Sequence, residues 1–242
     1  MQSSLYIVTG SSKGLGRALV EILLERPGVR VVGVSRSEEK TTDRFFPVQV
    51  DLKDTQSLIG KLDQLFPSGD FQRIALINNA GWIGEIGPMG DLSPQGIADI
   101  HLINTVAPAI LTNAFIQKYR ECTAEKVVIN VSSGAAKKAV DGWSGYCSSK
   151  AALNQFTLVA QEESDQKGYG IRYIALSPGI IDTPMQGEIR SAAPEKFSQL
   201  EKFKSFKATN QLSTPSETAA KVSYLLDHLD ELKGVLLDVR EF

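Results

Sequence analysis

The stretch Thr9-Gly10-Ser11-Ser12-Lys13-Gly14-Leu15-Gly16 decides how this chain folds. Before it, Leu5–Thr9 is an apolar, β-rich run that predicts a strand, and after it the apolar spacing of Leu15–Glu25 predicts a helix. Glycines in such a turn let backbone N–H groups approach a pyrophosphate, which then faces the positive end of the helix. The stretch therefore predicts a dinucleotide site, although its spacing differs from the common G-x-G-x-x-G fingerprint. The alternative is a glycine-rich turn without a ligand.

The rest of the chain alternates short β-rich runs with longer helical patterns. Strands are predicted at 30–35, 46–50, 73–77, 126–131, 171–176 and 235–237, and helices at 54–66, 100–119, 144–163 and 216–226. Near-continuous Val, Ile and Leu strands joined by helices are typical of a doubly wound parallel sheet with helices on both faces. Because no linker or repeat divides residues 1–242, we expect a single α/β domain. The irregular segment 182–213 follows a strand's carboxyl end, where ligands bind, and is expected to be a flexible, partly helical cover for the substrate.

Composition excludes several classes of protein. A net charge of -2 gives no electrostatic basis for binding nucleic acid or an anionic membrane. We see no run long enough to span a bilayer and no signal peptide, so a cytoplasmic location is expected. Cys122 and Cys147 are too few for a disulfide framework, which indicates a reducing compartment. With His101 and His228 they form no metal-ligand pattern, so no metal is expected.

The residues after the second predicted strand indicate which dinucleotide binds. An NAD site usually has Asp or Glu there to bind the ribose 2′-hydroxyl, whereas this strand ends in Val34-Ser35-Arg36. Arg36 and Lys13 would meet a 2′-phosphate, Arg36 through its planar fork, so NADP(H) is expected. The alternative is that both cations are solvated surface charges. Asp51, after the third strand, either accepts a hydrogen bond from the adenine amino group or caps the next turn.

A tyrosine, a lysine and a serine form a candidate catalytic group. Tyr146 and Lys150 are four residues apart on a predicted helix, so they share a face. A nearby ammonium favours the phenolate and lowers a tyrosine pKa from ~10 toward the working pH. The pair alone is a weak signal, because this spacing occurs often by chance. Ser133 follows the fifth predicted strand at the same sheet edge, where its hydroxyl would polarise a substrate carbonyl.

These motifs, taken in order, resemble the short-chain dehydrogenase/reductase family over essentially the whole chain. The resemblance rests on Thr9-Gly10-x-x-x-Gly14-x-Gly16, Asn78-Asn79-Ala80-Gly81, Ser133, Tyr146-x-x-x-Lys150 and Pro178-Gly179-x-x-x-Thr183. It implies a Rossmann-type fold, hydride transfer from nicotinamide and a catalytic tetrad of Asn104, Ser133, Tyr146 and Lys150. Ser133, not Ser132, stands thirteen residues before Tyr146 as the family pattern requires. We expect Ser132 to face the other way.

The family pattern also implies a set of cofactor-binding residues. They are Gly10, Ser12, Lys13, Gly14, Leu15, Gly16, Arg36, Asp51, Leu52, Asn79, Ala80, Gly81, Tyr146, Lys150, Pro178, Gly179, Ile181 and Thr183. Simpler roles remain open for some of them. Asn79 and Gly81 would only shape a turn, and Thr183 would cap the following segment instead of binding the nicotinamide amide. Asn104 would bend its helix by competing for backbone hydrogen bonds, instead of holding a water that links Lys150 to solvent.

A narrower resemblance is to the sepiapterin and benzil reductases of this family, through Trp143-Ser-Gly-Tyr-Cys and Pro178-Gly-Ile-Ile-Asp-Thr-Pro-Met. It implies an NADPH-dependent carbonyl reductase, sepiapterin reductase-like, with a benzil-type diketone reductase as the alternative. A catalytically silent NADP-binding sensor is the non-enzyme alternative. Asp238 would anchor a pterin ring by accepting paired N–H donors, or would be a solvated residue after the last strand. Trp143 and Met185 would form apolar pocket walls, although plain packing is as good an explanation for Trp143.

The two long predicted helices favour a homodimer. Helix 100–119 carries apolar residues on more than one side, among them Ala107, Ile110, Leu111 and Ala114. A helix apolar around much of its circumference needs cover beyond its own sheet. The resemblance implies a four-helix interface built from 100–119 and 144–163, and a two-fold pairing is the commonest solution for such a patch.

Overall fold

The core of the fold is a seven-stranded parallel sheet, seen in a computed structural model that describes residues 3–242. The strands are β1 (Ser4–Thr9), β2 (Val29–Ser35), β3 (Phe45–Gln49), β4 (Arg73–Asn78), β5 (Glu125–Val131), β6 (Ile171–Ser177) and β7 (Leu236–Asp238). Their order across the sheet is β3-β2-β1-β4-β5-β6-β7. The order in which strands are added to the sheet therefore reverses between β1 and β4, and the crevice outside that reversal point is where ligands bind in such sheets.

Helices cover both faces of the sheet. They are α1 (Gly14–Leu24), α2 (Thr55–Ile59), α3 (Leu62–Leu65), α4 (Pro94–His101), α5 (Ala107–Tyr119), α6 (Ser144–Lys167), α7 (Pro184–Arg190), α8 (Leu200–Ala208) and α9 (Pro215–Asp227). Alternate residues of β1 show the two layers: Tyr6 and Val8 pack in the cluster that includes α1 and α9. Leu5 and Ile7 pack on the other face with residues of α2, α3 and α5. Both faces are buried, which explains the uninterrupted apolar strands. The predicted doubly wound α/β fold is confirmed.

Two predicted helices differ from the structure. The helix predicted at 54–66 is broken at Gly60 and Lys61 into α2 and α3, with Asp54 capping the first through the N–H of Ser57. The helix predicted at 100–119 begins earlier, at Pro94, because Ser93 accepts a hydrogen bond from the Gly96 N–H and caps it. Ser, followed by Pro at the first helical position, is a strong start signal.

Segment 182–213 is more ordered in secondary structure than expected. It contains α7, a short 3₁₀ turn at Pro194–Lys196 and α8, and Thr214 then caps α9 with a full capping box. A third apolar cluster joins it to the start of α6: Phe197, Leu200 and Phe203 pack there with Trp143 and Tyr146. Within residues 3–242, no helix is long and apolar enough to cross a membrane.

Candidate active site

One cavity of about 760 Å³ opens at the carboxyl edge of the sheet and collects almost every residue predicted for the site. The predicted residues that line it are Gly10, Ser12, Lys13, Gly14, Leu15, Arg36, Asp51, Leu52, Asn79, Ala80, Gly81, Ser133, Trp143, Tyr146, Lys150, Pro178, Gly179, Ile181, Thr183, Met185 and Asp238. Gly16 and Asn104 do not line it. Both act from behind the cavity wall, as their contacts show.

The glycine turn has the shape that a bound pyrophosphate requires. Gly10 and Gly14 have φ angles of 72° and 56°, a region that residues with a Cβ rarely adopt. At Gly16 a Cβ would lie 2.1 Å from the Gly10 carbonyl oxygen, so only glycine lets α1 start this close to the turn. The residues present therefore fit a dinucleotide, with backbone N–H groups and the start of α1 facing the phosphates.

Asn79 holds this turn from the side. Its Nδ2 donates to the Thr9 carbonyl at 2.9 Å, and the Ala80 N–H donates to the Thr9 hydroxyl at 2.9 Å. These bonds tie the ends of β1 and β4 together across the reversal point. The turn-shaping role left open for Asn79 is thus present, and Asn79 also borders the cavity.

The loop that carries Arg36 is fixed from several directions. Gln49 donates to the Arg36 carbonyl at 2.9 Å, and Ser35 donates to the Ser37 carbonyl at 2.9 Å. Ser11, in the glycine turn, donates to the Glu39 carboxylate at 3.0 Å. The exposed Arg36 side chain therefore projects from a well-held backbone, and Glu39, which was not predicted, does not line the cavity.

The alternatives for Asp51 and Thr183 come out differently. Asp51 accepts a hydrogen bond from the Lys53 N–H at 3.1 Å, so it does shape the turn, while it also borders the cavity. Thr183 stands at the N-cap position of α7 but its side chain makes no capping hydrogen bond. It faces the glycine turn instead, since a Cβ on Gly14 would lie 3.3 Å from its methyl group.

Tyr146 and Ser133 meet in the wall of the cavity. Tyr146 is buried in the first turn of α6, and Ser133 lies two residues after the end of β5. The Ser133 hydroxyl accepts from the Ala135 N–H at 3.1 Å, which fixes its oxygen. Ser132 is engaged elsewhere, with its hydroxyl 2.5 Å from the Asn154 side-chain oxygen, as the expected alternation implies. Of these two serines, Ser133 is the one that hydrogen-bonds the Tyr146 side chain.

Burial, more than charge, sets the ionisation of the pair. It raises the pKa of Tyr146 above its usual value, and the hydrogen bond with Ser133 offsets this only in part. Burial also lowers the pKa of Lys150 to about 8. Lys150 donates to the Val131 carbonyl at 2.7 Å, and its Nζ lies 6.0 Å from the Tyr146 ring centroid. The expected lowering of the tyrosine pKa is therefore wrong here, because desolvation of the phenolate outweighs the distant ammonium.

Asn104 is completely buried and joins two elements of the site. It accepts from the Trp82 N–H at 2.9 Å, and it donates to the Trp82 carbonyl at 2.9 Å and to the Ser149 hydroxyl at 3.1 Å. Its own stretch, Leu102–Val106, forms a π-helical turn between α4 and α5. The side chain bonds other segments and not its own helix, so it does not bend the helix by the mechanism left open. Its water-holding role stays a prediction.

Aromatic residues form one wall of the cavity. Trp143 is 7% exposed and lies edge-on to Tyr146, with centroids 5.6 Å apart. Phe203 and Phe206 of α8 line the cavity beside Met185, although they were not predicted. A signal for them exists in the sequence: Phe197, Leu200, Phe203 and Phe206 recur every three residues, which is an apolar helical stripe. Trp143 thus both packs and lines the cavity.

Asp238 borders the cavity with its carboxylate already engaged. Its Oδ1 accepts from the backbone N–H of Arg240 at 3.0 Å and from Arg240 Nε at 2.8 Å, and its Oδ2 lies 2.5 Å from Arg240 Nη2. The pKa of Asp238 is lowered, mainly by the hydrogen bond from the Arg240 side chain. Asp238 is therefore neither the free anchor nor the plainly solvated residue that the sequence suggested.

Comparison with known proteins agrees with this arrangement. Residues 4–194 match the short chain dehydrogenase family. The benzil reductase ((S)-benzoin forming) of Bacillus subtilis (strain 168) is 35% identical over 242 residues, covering 98% of this chain and 99% of that protein. The sepiapterin reductase of Xenopus tropicalis is 33% identical over 215 residues, which cover 80% of each.

Solved structures give the same result at the level of the fold. A short chain dehydrogenase/reductase from Saccharomyces cerevisiae superposes with a TM-score of 0.82 at 29% identity, covering 98% of this chain and 96% of that one. The family match spans well over half of the chain, and its members are oxidoreductases that use a nicotinamide cofactor. The chain therefore belongs to the short-chain dehydrogenase/reductase family.

Proposed function

We propose that this protein is an NADPH-dependent carbonyl reductase that acts on a vicinal dicarbonyl-type ketone. One observation carries the proposal: Ser133, Tyr146 and Lys150 lie on the same cavity as the glycine turn and Arg36. The groups that would hold the dinucleotide and the groups that would move a proton thus face one space. A silent NADP-binding sensor has no comparable support, since no member of the proposed tetrad is lost.

The chain's own residues would deliver the proton and stabilise the charge that develops. When bound, NADPH supplies a hydride. Ser133, whose oxygen is held by the Ala135 N–H, would turn its hydroxyl from Tyr146 and donate a hydrogen bond to the substrate carbonyl oxygen without giving up its proton. Tyr146, with a raised pKa, is protonated at neutral pH and gives its hydroxyl proton to the same oxygen. The ammonium of Lys150 favours the phenolate that remains.

The preference for NADPH rests on two cations at the nucleotide end of the cavity. Lys13 and Arg36 both line it, whereas Glu39, three residues after Arg36, does not line it and accepts a hydrogen bond from Ser11. A guanidinium on a fixed backbone binds a 2′-phosphate through two parallel hydrogen bonds. Asp51 accepts a hydrogen bond from the Lys53 N–H. We therefore infer that this end of the cavity offers no strong acceptor for a ribose 2′-hydroxyl.

Two substrate classes follow from the relatives, a diaryl diketone such as benzil and a pterin ketone such as sepiapterin. The aromatic wall of Trp143, Phe203 and Phe206 supports the first, because it offers apolar contacts to aryl rings. The second depends on a free acceptor at Asp238, which Arg240 occupies. The order of the two expectations from the sequence is therefore reversed, and the diaryl diketone becomes the leading candidate.

The test is the oxidation of NADPH and, separately, of NADH, followed at 340 nm with benzil and sepiapterin as acceptors. We expect at least benzil to be reduced, and to be reduced faster with NADPH than with NADH. Absence of NADPH oxidation with both ketones, in a protein that still binds NADPH, would reject the proposed reductase.

A further inference from the structure

The carboxylate of Asp238 is the acidic group at the last strand's end of the cavity, and Arg240 hydrogen-bonds both of its oxygens. The guanidinium bonds both carboxylate oxygens, through Nε and Nη2, and the backbone N–H of the same residue adds a third bond. The pair is local, since Asp238 also begins the 3₁₀ turn Val239–Glu241 that carries Arg240. The Asp238 side chain is 17% exposed, whereas that of Arg240 is 77% exposed.

A free carboxylate at this place would bind a ligand edge with two adjacent N–H donors, such as an amino-pyrimidine. Arg240 presents the same kind of donor pair from within the chain. A ligand with that edge must therefore displace the guanidinium before it bonds Asp238. A ligand without N–H donors forms no hydrogen bond with the carboxylate, so the pairing of Asp238 with Arg240 does not affect its binding.

The aromatic residues that line the cavity favour a ligand without N–H donors. Trp143, Phe203 and Phe206 offer ring faces and edges, and Met185 and Ile189 fill the space beside them. Aryl rings gain from such contacts beyond the area that they bury. The cavity thus combines an aromatic wall with a carboxylate whose charge is neutralised by Arg240 of the same chain.

We propose that Arg240 is a specificity-determining residue, which by holding Asp238 selects diaryl diketones over pterin ketones. This inference rests on the proposed reductase function and names its substrate class. An exposed ion pair is weak, so the selection should be modest. We expect about fivefold, which corresponds to about 1 kcal/mol.

The experiment compares wild type with Arg240→Ala, which frees the carboxylate and leaves the backbone bond. The readout is the ratio of kcat/KM for sepiapterin to kcat/KM for benzil. It should rise about fivefold in Arg240→Ala and return to the wild-type value or below in the double variant Arg240→Ala/Asp238→Asn. Lys137→Ala is the matched control, because Lys137 attracts Asp238 through space without bonding it. Its ratio should stay at the wild-type value.

A binding measurement separates this inference from the reductase proposal. Sepiapterin is titrated by fluorescence into each variant saturated with NADP⁺, which needs no turnover. Tighter binding in Arg240→Ala that disappears in the double variant supports the role of Arg240, even if the wild type reduces neither ketone. An unchanged ratio together with unchanged sepiapterin affinity in Arg240→Ala would overturn it. A gain that survives in the double variant would overturn it as well, because the gain would not pass through Asp238.

Discussion

Trp143 stacks face to face on Phe197, with ring centroids 5.1 Å apart and an interplanar angle of 13°. This contact fastens segment 182–213 to the residue just before α6, and Asp141 strengthens it by accepting from the Ser198 N–H and hydroxyl, each at 2.7 Å. Between them, a Cβ on Gly142 would lie 2.5 Å from the Lys196 carbonyl oxygen. Segment 182–213, which covers the cavity, is therefore attached near the middle of its own length. Movement of its outer parts, α7 and α8, stays a prediction.

The first prediction concerns this attachment. Trp143→Leu should raise the KM for benzil about tenfold, because the aryl wall and the contact with Phe197 are lost together; each aromatic pair contributes about 0.5–1.5 kcal/mol. Steady-state kinetics and chemical denaturation measure both effects. Phe66→Leu is the control, since Phe66 packs on Phe115 and Tyr119 away from the cavity. It should lower stability while the KM stays unchanged. Equal KM changes in both variants would contradict a direct role of Trp143.

Tyr146→Phe should keep the fold and NADPH binding and lose at least ~10²-fold in turnover, the contribution of one positioned acid. The burial that raises the Tyr146 pKa keeps its proton available at neutral pH, and Phe has no proton to give. Tyr119→Phe is a matched control, because it removes a buried hydroxyl that donates to the Pro67 carbonyl at 2.8 Å. That control should remain active. Near-wild-type turnover in Tyr146→Phe would assign the acid to another group.

Arg36→Ala should weaken NADPH binding and leave NADH binding nearly unchanged. A bidentate guanidinium–phosphate contact contributes about 1.5–3 kcal/mol, which is about ten- to a hundredfold in affinity. Calorimetry with both dinucleotides measures this. Arg17→Ala removes a cation that pairs with Glu21 on α1 and does not line the cavity, so it should change neither affinity. Similar losses for NADPH and NADH in Arg36→Ala would show that Arg36 does not contact the 2′-phosphate.

Lys150 gives a prediction of pH-dependent stability. Its folded-state pKa of about 8 lies below that of an unfolded lysine, near ~10.4. Between these values the unfolded state binds more protons, so the free energy of unfolding of the wild type rises with pH. In Lys150→Met this rise is absent. Between the two pKa values, the free energy of unfolding of the wild type should therefore increase by up to about 3 kcal/mol relative to that of Lys150→Met. Urea titrations at pH 7 and pH 10 measure it, and parallel behaviour of the two proteins would contradict the buried charge.

The residues expected at the homodimer interface differ from those that the sequence suggested. Ala107 and Leu111 are fully buried within the monomer and need no partner, whereas Val106, Leu158 and Val159 remain 37%, 37% and 46% exposed. We therefore expect Leu158→Glu to convert a dimer into a monomer, measured by light scattering at micromolar concentration. Ile59→Glu, at an apolar residue that is 48% exposed on α2, should stay dimeric. A wild-type monomer at that concentration would remove the proposal.

Sequence patterns predicted the parts of the molecule that depend on local chemistry. The glycine turn was found because Gly10, Gly14 and Gly16 are required by backbone geometry, and Tyr146 and Lys150 because a helix brings residues four apart together. The strands were found because both of their faces are buried. Each of these signals lies within a few neighbouring residues.

Other features were missed, most of them because they depend on distant contacts. The engagement of Asp238 by Arg240 is local and was overlooked, although Asp238-Val-Arg-Glu241 has the Asp-x-x-Glu spacing of a capping box. The raised pKa of Tyr146 depends on burial by segments that meet only in the folded chain. Glu39 bonds Ser11 across 28 residues of sequence, so periodicity has no means to indicate it.

The π-helical turn at Leu102–Val106 has a consequence for how this chain tolerates changes in length. It holds one residue more per turn than the α-helices on either side, so deleting a single residue there would restore regular helical bonding. Because the π-helical turn accommodates the extra residue, the same deletion would leave α4 and α5 nearly in their present phase. Ile100, which is 2% exposed, would keep its place, whereas deleting Asn104 itself would remove the hydrogen bonds with Trp82. The bulge thus trades helical regularity for the side chain that ties the active-site loop to this helix.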